Sequence, residues 1–267
     1  NGTAIVGGEI VIPNNRMYTI PLIVYPKCKI GSIIKIEAKK YMQENGIDIN
    51  NVICHAPYII NLANRENESS WNFSCSFLKQ EISRISKMHV NYIVVHPGNS
   101  LKMDRNVALD NIASAINLII DEDTKPMILL ETMAGKGTEC GINIDEIKEI
   151  LDKIVLKDKV GVCLDTCHLN DSGVDISKFN AYLDEFNEKI GLDKIKCIHL
   201  NDSKNILGSN KDRHENIGYG TIGFETLINV AYLECFKDIP KILIDLVFSV
   251  VQFWLVLAVF CAGCLKS

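Results

Sequence analysis

The chain has 267 residues, 47% of them hydrophobic and 23% charged, with a formal net charge of −5. That length buries a substantial core in one large domain or two small ones, and the apolar share excludes a disordered polymer. Ten Cys are too sparse for a disulfide scaffold and point to a reduced, intracellular chain, while the acidic balance excludes wholesale nucleic-acid binding through a basic surface.

Nothing at the start reads as a secretory signal. Residues 3–12 (TAIVGGEIVI) and 18–25 (YTIPLIVY) have strand composition, but only five residues separate them. A parallel crossover needs about a dozen, so residues 1–30 form a divergent N-terminal segment and not a normal βαβ opening. Gly2, Gly7 and Gly8 crowd it without a G-x-G-x-x-G, which leaves a dinucleotide site unsupported. A helical stretch over about 31–46 follows, and from there short β-branched runs alternate with longer amphipathic ones. The predicted strands are Asn51–His55, Tyr92–His96, Met127–Glu131, Val160–Asp165, Lys196–Leu200 and Lys241–Asp245, with helices over about 75–88, 106–120, 144–153, 177–190 and 224–235. Near-continuous apolar runs suit parallel strands buried on both faces. The repetition predicts one α/β domain over 31–245, a TIM (β/α)₈ barrel that is incomplete or irregular at its first strands and last unit.

Polar residues sit where these strands end. His55, His96, Glu131, Asp165 and His199 fall at or near the C-terminal ends of five strands, the rim that carries the active site in such barrels. His168 lies three residues after Asp165, and Asp212-Arg213-His214 sets two more donors close together on what reads as extended backbone. Five of the six His belong to this set, His89 being the exception. One strand-end His is usually a structural hydrogen-bonder; five together make a metal inventory. Imidazole with carboxylate suits Zn²⁺, Mn²⁺ or Fe²⁺, and a metal would offset the burial of Glu131, which has no cation near it in sequence.

The stretches His55-Ala-Pro-Tyr-Ile-Ile-Asn-Leu, Val95-His96-Pro97-Gly98, Glu131-Thr-Met-Ala-Gly-Lys-Gly137, Asp165-Thr-Cys-His168, His199-Leu-Asn-Asp202 and Lys211-Asp-Arg-His-Glu-Asn-Ile-Gly218 resemble, in order, the endonuclease IV family of apurinic/apyrimidinic endonucleases. The resemblance covers about residues 31–243. It implies a barrel holding three Zn²⁺, with Mn²⁺ as a possible substitute. His55 and His96 would hold one ion, and the catalytic Glu131 would bridge it to a second, shared with Asp165 and His199. His168, Asp212 and His214 would hold the third. The implied reaction is hydrolysis of the phosphodiester 5′ to an abasic site in double-stranded DNA, leaving a 3′-hydroxyl and a 5′-deoxyribose phosphate, with trimming of blocked 3′ ends. The metal charge would acidify the attacking water and neutralise phosphate, so a net −5 does not decide against DNA. Tyr58 and Ile59 match positions that intrude into the damaged duplex, against the alternative that they only pack the loop. Lys136, Lys204, Lys211 and Arg213 are candidate phosphate contacts. The implied protein is a monomer of the cytoplasm or nucleoid.

Two departures stand out. The family's opening G-[AS]-H-V-S pattern and the DNA-contacting Arg after it have no counterpart in residues 1–30. Where the family ends its last strand P-x-I-L-E-T, this chain reads Pro240-Lys-Ile-Leu-Ile-Asp245, with Ile244 at the Glu position. A shift of one residue turns a strand side chain to the opposite face, so Asp245 serves only where a bulge re-aims it. Leu246–Leu265 then runs 20 residues without a charge. It is long enough to span a bilayer, and a tail anchor or a buried last helix competes with the favoured reading, a non-native end such as a shifted frame. Cys261-Ala-Gly-Cys264 lacks the second pair or preceding strand that a redox or zinc role needs. Competing functions are a metal-dependent sugar isomerase or epimerase on the same barrel, and a non-catalytic remnant that binds abasic DNA.

Overall fold

The computed structural model describes residues 48–243, with short pieces before them at 5–6, 9–10, 40, 43–44 and 46. The helix expected over 31–46, the Ile244/Asp245 substitution and the apolar tail lie outside the described residues. In place of one strand over 3–12, β1 (Ile5–Val6) and β2 (Glu9–Ile10) pair antiparallel with each other.

Six parallel strands make the described part of the barrel: β3 (Ile53–His55), β4 (Tyr92–Val95), β5 (Met127–Glu131), β6 (Val160–Asp165), β7 (Ile195–His199) and β10 (Lys241–Ile242). Their spatial order follows the sequence, β3-β4-β5-β6-β7-β10. The helices between them are α1 (Glu68–Met88), α2 (Arg105–Ile119), α3 (Ile144–Asp152), the short α4 (Thr166–Ser172), α5 (Phe179–Lys189) and α6 (Phe224–Ala231). Among the described residues each longer predicted helix is present, although the one expected over 75–88 begins earlier, at Glu68, 177–190 opens with a 3₁₀ turn over Ile176–Lys178 and 224–235 closes with another over Glu234–Phe236. Strands β8 (Asp202–Ser203) and β9 (His214–Glu215) form a separate antiparallel pair above β7.

The strand period of two divides the core into two populations. Ile93, Val95, Ile128, Leu130, Val162, Leu164 and Ile198 face outward into one large apolar cluster with the helices. Ile53, Val94, Leu129, Cys163, Cys197 and Ile242 face inward and form a second, smaller cluster. Each fully buried Leu or Ile stabilises the fold by about 1.5–3 kcal/mol. On the helix side, α1 buries Trp71, Cys75, Leu78, Ile82 and Ile85, the three-and-four spacing of one helical face. The sixth histidine, His89, is the left-handed C-cap of this helix (φ 64°) and takes no part in the mouth. No helix among the described residues is long and apolar enough to cross a membrane.

Candidate metal centre

Two residues beyond the inward apolar layer, the same faces of the strands carry His55, His96, Glu131, Asp165 and His199. Glu131 lies at the centre, 1% exposed. Its Oε2 accepts from His55 Nε2 at 2.9 Å and meets His96 Nε2 at 3.2 Å. Its Oε1 accepts from His199 Nδ1 at 2.8 Å and lies 3.5 Å from His168 Nδ1. One buried carboxylate therefore meets four imidazoles, of which His55 stands 76 residues and His199 68 residues away along the chain. The curvature of the parallel sheet produces this convergence. All eight predicted ligands gather in this mouth.

The D-x-x-H spacing of Asp165 and His168 has a local cause that the sequence reading missed. Asp165 ends β6 and is also the N-cap of α4, where its Oδ1 accepts from the His168 backbone N–H at 2.9 Å. N-cap and N3 residues are bonded neighbours, so the Asp165 Oδ2 and the His168 ring project into the mouth from one helical turn. Asn201 Nδ2 donates to that Oδ2 at 2.7 Å, and the Asp165 backbone N–H donates to Thr132 Oγ1 at 3.0 Å. Asp212 corrects the expectation of extended backbone: it is left-handed, with φ 54°. That turn aims its Oδ1 at His168 Nε2, 3.1 Å away, and His214 Nε2 lies 3.6 Å from the same oxygen.

Several loops are fixed by polar side chains. Asn61 Oδ1 accepts from the backbone N–H groups of Ala63 and Asn99, and its Nδ2 donates to Asn99 O at 3.0 Å. This clip ties the loop after His55 to the loop after His96. Gly98 permits it: with φ +124°, a Cβ there would stand 2.3 Å from Asn61 Oδ1. Asp171, fully buried on α4, accepts from Ser203 Oγ at 2.6 Å, Asn205 Nδ2 at 2.9 Å and the Asp212 backbone N–H at 2.9 Å. Replacing Asp171 with Asn puts an amide NH₂ against these donors. The expected cost is about 2–4 kcal/mol, a fall of roughly 5–12 °C in Tm. Because the Asp212 turn loses its anchor, a metal ion held through Asp212 would be lost with it; elemental analysis showing unchanged metal content would refute the role in positioning Asp212.

The electrostatics suit a cation. Burial pushes the Glu131 carboxyl up, but His199 and His96 outweigh it and hold it well below the usual carboxylate range. Asp165 is likewise held down, against its burial, by His168 and His214. Burial pushes the His168 imidazole down, yet Asp165, the Asp212 hydrogen bond and Glu131 raise it to about 10. His199 is raised well above its ordinary value, chiefly by Glu131 overcoming burial. Both nitrogens of His168 face acceptors, Nδ1 on Thr132 O at 2.9 Å and Nε2 on Asp212. His55 repeats the pattern, with Nδ1 on Ala56 O at 2.7 Å. Such rings need a proton or a metal ion against the second acceptor, the usual arrangement around metal-ligating His. Among the described residues, His214 Nε2 is buried with no hydrogen-bond partner. An orphaned imidazole nitrogen beside two carboxylates fits a metal ligand. Donor atoms of His55, Glu131 and His199 lie within 4.8 Å of one another, as do those of His168, Asp212 and His214.

Tyr58 and Ile59 do not pack their loop; they are 89% and 64% exposed at the rim. Lys136, Lys211 and Arg213 are exposed, and Lys204 lies 3.7 Å from Glu215.

An arc of parallel strands with helices outside and His and carboxylate donors at the strand ends is the architecture of the xylose isomerase-like TIM barrels, and residues 25–234 match that family. Within it, the chain is 47% identical over 207 residues to probable endonuclease 4 of Mesoplasma florum, covering 78% of this chain and 71% of that relative. It superposes on the crystal structure of endonuclease IV from Thermus thermophilus with TM-score 0.66 and 29% identity, over 78% of this chain and 73% of that one. The chain belongs to the endonuclease IV family. A D-tagatose 3-epimerase-like protein, 23% identical with TM-score 0.62 over 79% of this chain and 74% of its own, shares the fold alone.

Proposed function

We propose that this chain is a metal-dependent DNA repair endonuclease, one that hydrolyses the phosphodiester 5′ to an abasic site and leaves a 3′-hydroxyl and a 5′-deoxyribose phosphate. The observation that carries the reading is the third donor group, His168, Asp212 and His214, standing beside the Glu131 cluster in the same mouth. Two-site sugar isomerase or epimerase chemistry has less use for it. In the proposed site His55, His96 and Glu131 hold one ion, Glu131, Asp165 and His199 a second, and His168, Asp212 and His214 a third. Zinc, when bound there, supplies activation of water near neutral pH and charge to neutralise the phosphate.

The chain's own residues set up that chemistry. Glu131 holds both halves of the cluster together through its two oxygens. Ala56 O and Thr132 O fix one nitrogen each of His55 and His168, which leaves the Nε2 atoms turned into the mouth. Asn201 steadies the free oxygen of Asp165. The exposed Tyr58 and Ile59, three and four residues beyond His55, supply an apolar wedge of the kind that unstacks bases. Lys136, Lys211 and Arg213 offer phosphate contacts on the rim, which fits double-stranded DNA as partner. The proposed domain is 31–245, acting as a monomer inside the cell, with the segments 1–30 and 246–267 outside it.

The test is cleavage of a duplex with a single abasic site by the purified chain, with added zinc and with chelator, alongside Ile244→Glu. Zinc-dependent cutting 5′ to the lesion is expected, with more zinc per chain and faster cutting in Ile244→Glu. If neither protein binds metal or distinguishes abasic from intact duplex, the reading fails.

A further inference from the structure

Directly beneath the cluster, the inward layer of the barrel changes character. Four of its six positions are Ile53, Val94, Leu129 and Ile242, the bulky branched residues that usually fill a barrel interior. The other two, on neighbouring strands, are Cys163 and Cys197, both fully buried. A register shift between Val162 and Cys163 sets their partnership: Val162 pairs with Ile195, but Cys163 pairs with Cys197 and Asp165 with His199. The same irregularity that brings two of the candidate ligands side by side therefore brings two thiols side by side below them. Both sulfurs and a ring nitrogen of His199 lie within 4.8 Å of one another.

We infer that Cys163, Cys197 and His199 form a separate metal site beneath the mouth, one that takes a thiophilic d¹⁰ ion such as Cd²⁺. At the distances zinc keeps, about 2.3 Å to sulfur and 2.1 Å to nitrogen, tetrahedral angles set ligand atoms roughly 3.5–3.8 Å apart; the larger Cd²⁺ sets them somewhat farther apart, still inside the observed 4.8 Å span. Small rotations of the side chains complete the approach. Two thiolates and one imidazole select soft ions over the ions preferred by the thiol-free imidazole and carboxylate set of the mouth. Among the described residues, the other group that includes a thiol, Asp165, Cys167 and His214, has one sulfur only. The ion displaces the two thiol protons to solvent and no electrons move. His199 is the shared member: its Nδ1 is 2.8 Å from Glu131, so an ion seated on the two sulfurs withdraws an imidazole from the cluster above. Soft metals then inhibit by capturing His199 from below. That consequence rests on the proposed nuclease reading, whereas binding itself does not.

The experiment titrates the zinc-loaded full chain with Cd²⁺, following the ultraviolet sulfur-to-cadmium charge-transfer absorption, and repeats it on Cys163→Ala/Cys197→Ala. Wild type should develop a band that saturates at about one more equivalent of Cd²⁺ than the double variant. The double variant should keep its zinc and its cleavage of abasic duplex, and should resist the loss of cleavage that Cd²⁺ causes in wild type. Identical bands in the two proteins would overturn the site and leave the thiols as packing. A band without any loss of cleavage in an active wild type would overturn the capture of His199. An inactive wild type that still shows the extra band would count against the nuclease reading and leave the site standing. If the double variant fails to fold, the near-isosteric Cys163→Val and Cys197→Val take its place, and a band undiminished in both overturns the proposal.

Discussion

Replacing Glu131 with Gln is expected to abolish zinc retention at the cluster and to slow cleavage of abasic DNA by at least about 10³-fold, roughly 4 kcal/mol of barrier. The substitution conserves volume, so the loss is electrical. Glu131 is 1% exposed and meets His55, His96, His199 and His168 within 3.5 Å. An amide cannot accept from all of these rings, and its NH₂ would face imidazole nitrogens that are themselves donors or ligands. Without the carboxylate the raised His199 loses its largest support, and the two proposed metal positions that Glu131 would share lose a ligand. Zinc per chain and single-turnover cleavage check this together. A Glu131→Gln protein with full zinc and near-normal cleavage would remove Glu131 from the site.

The readability of these features in sequence depended on whether they carried a period. Strands Met127–Glu131 and Val160–Asp165 coincide residue for residue with the apolar runs that announce them, because both faces are buried and the run ends where the mouth begins. The same ends mark Glu131, Asp165 and His199 as a set. Helix α4 was not legible: seven residues, Thr166–Ser172, all but one buried, with polar residues at most positions, show no 3.6-residue pattern. Its existence depends on the Asp165 cap and on contacts from the loop after β7. The clip at Asn61 spans 38 residues to Asn99, and the Asp171 anchor spans 41 to Asp212. Side-chain to backbone bonds of that range follow no spacing rule, so a buried Asp171 reads in sequence like any solvated helix carboxylate. Asp202 is another such case: its carboxylate accepts from the backbone N–H groups of Gly218, Gly220 and Ile222, tying together the loop that leads into α6. Burial of an unassisted polar group is costly, and that cost makes these residues visible only once the fold is in hand.

Removing the metal should reverse the pH dependence of stability. In the metal-free chain His168 is held at about 10 and His199 well above its ordinary value. A folded pKa raised above the unfolded value of about 6.5 contributes stability that is fully present below that value. For His168 the contribution is lost as pH rises through about 10. Glu131, Asp165 and Asp212 are held low, so their contribution is present above about pH 4 and is lost as pH falls further. The metal-free protein should therefore be most stable between about pH 4.5 and 6.5 and lose Tm steadily toward pH 9. Zinc requires the same imidazoles as neutral donors, so its binding releases protons and strengthens as pH rises. The two effects act in the same direction on the difference: the gain in Tm on adding zinc should widen from about pH 6 to pH 9. Thermal melts in chelator and in zinc across that range measure it. A gap that stays constant or narrows would mean that His168 and His199 do not exchange protons for metal, and the assignment of both as ligands would fall with it.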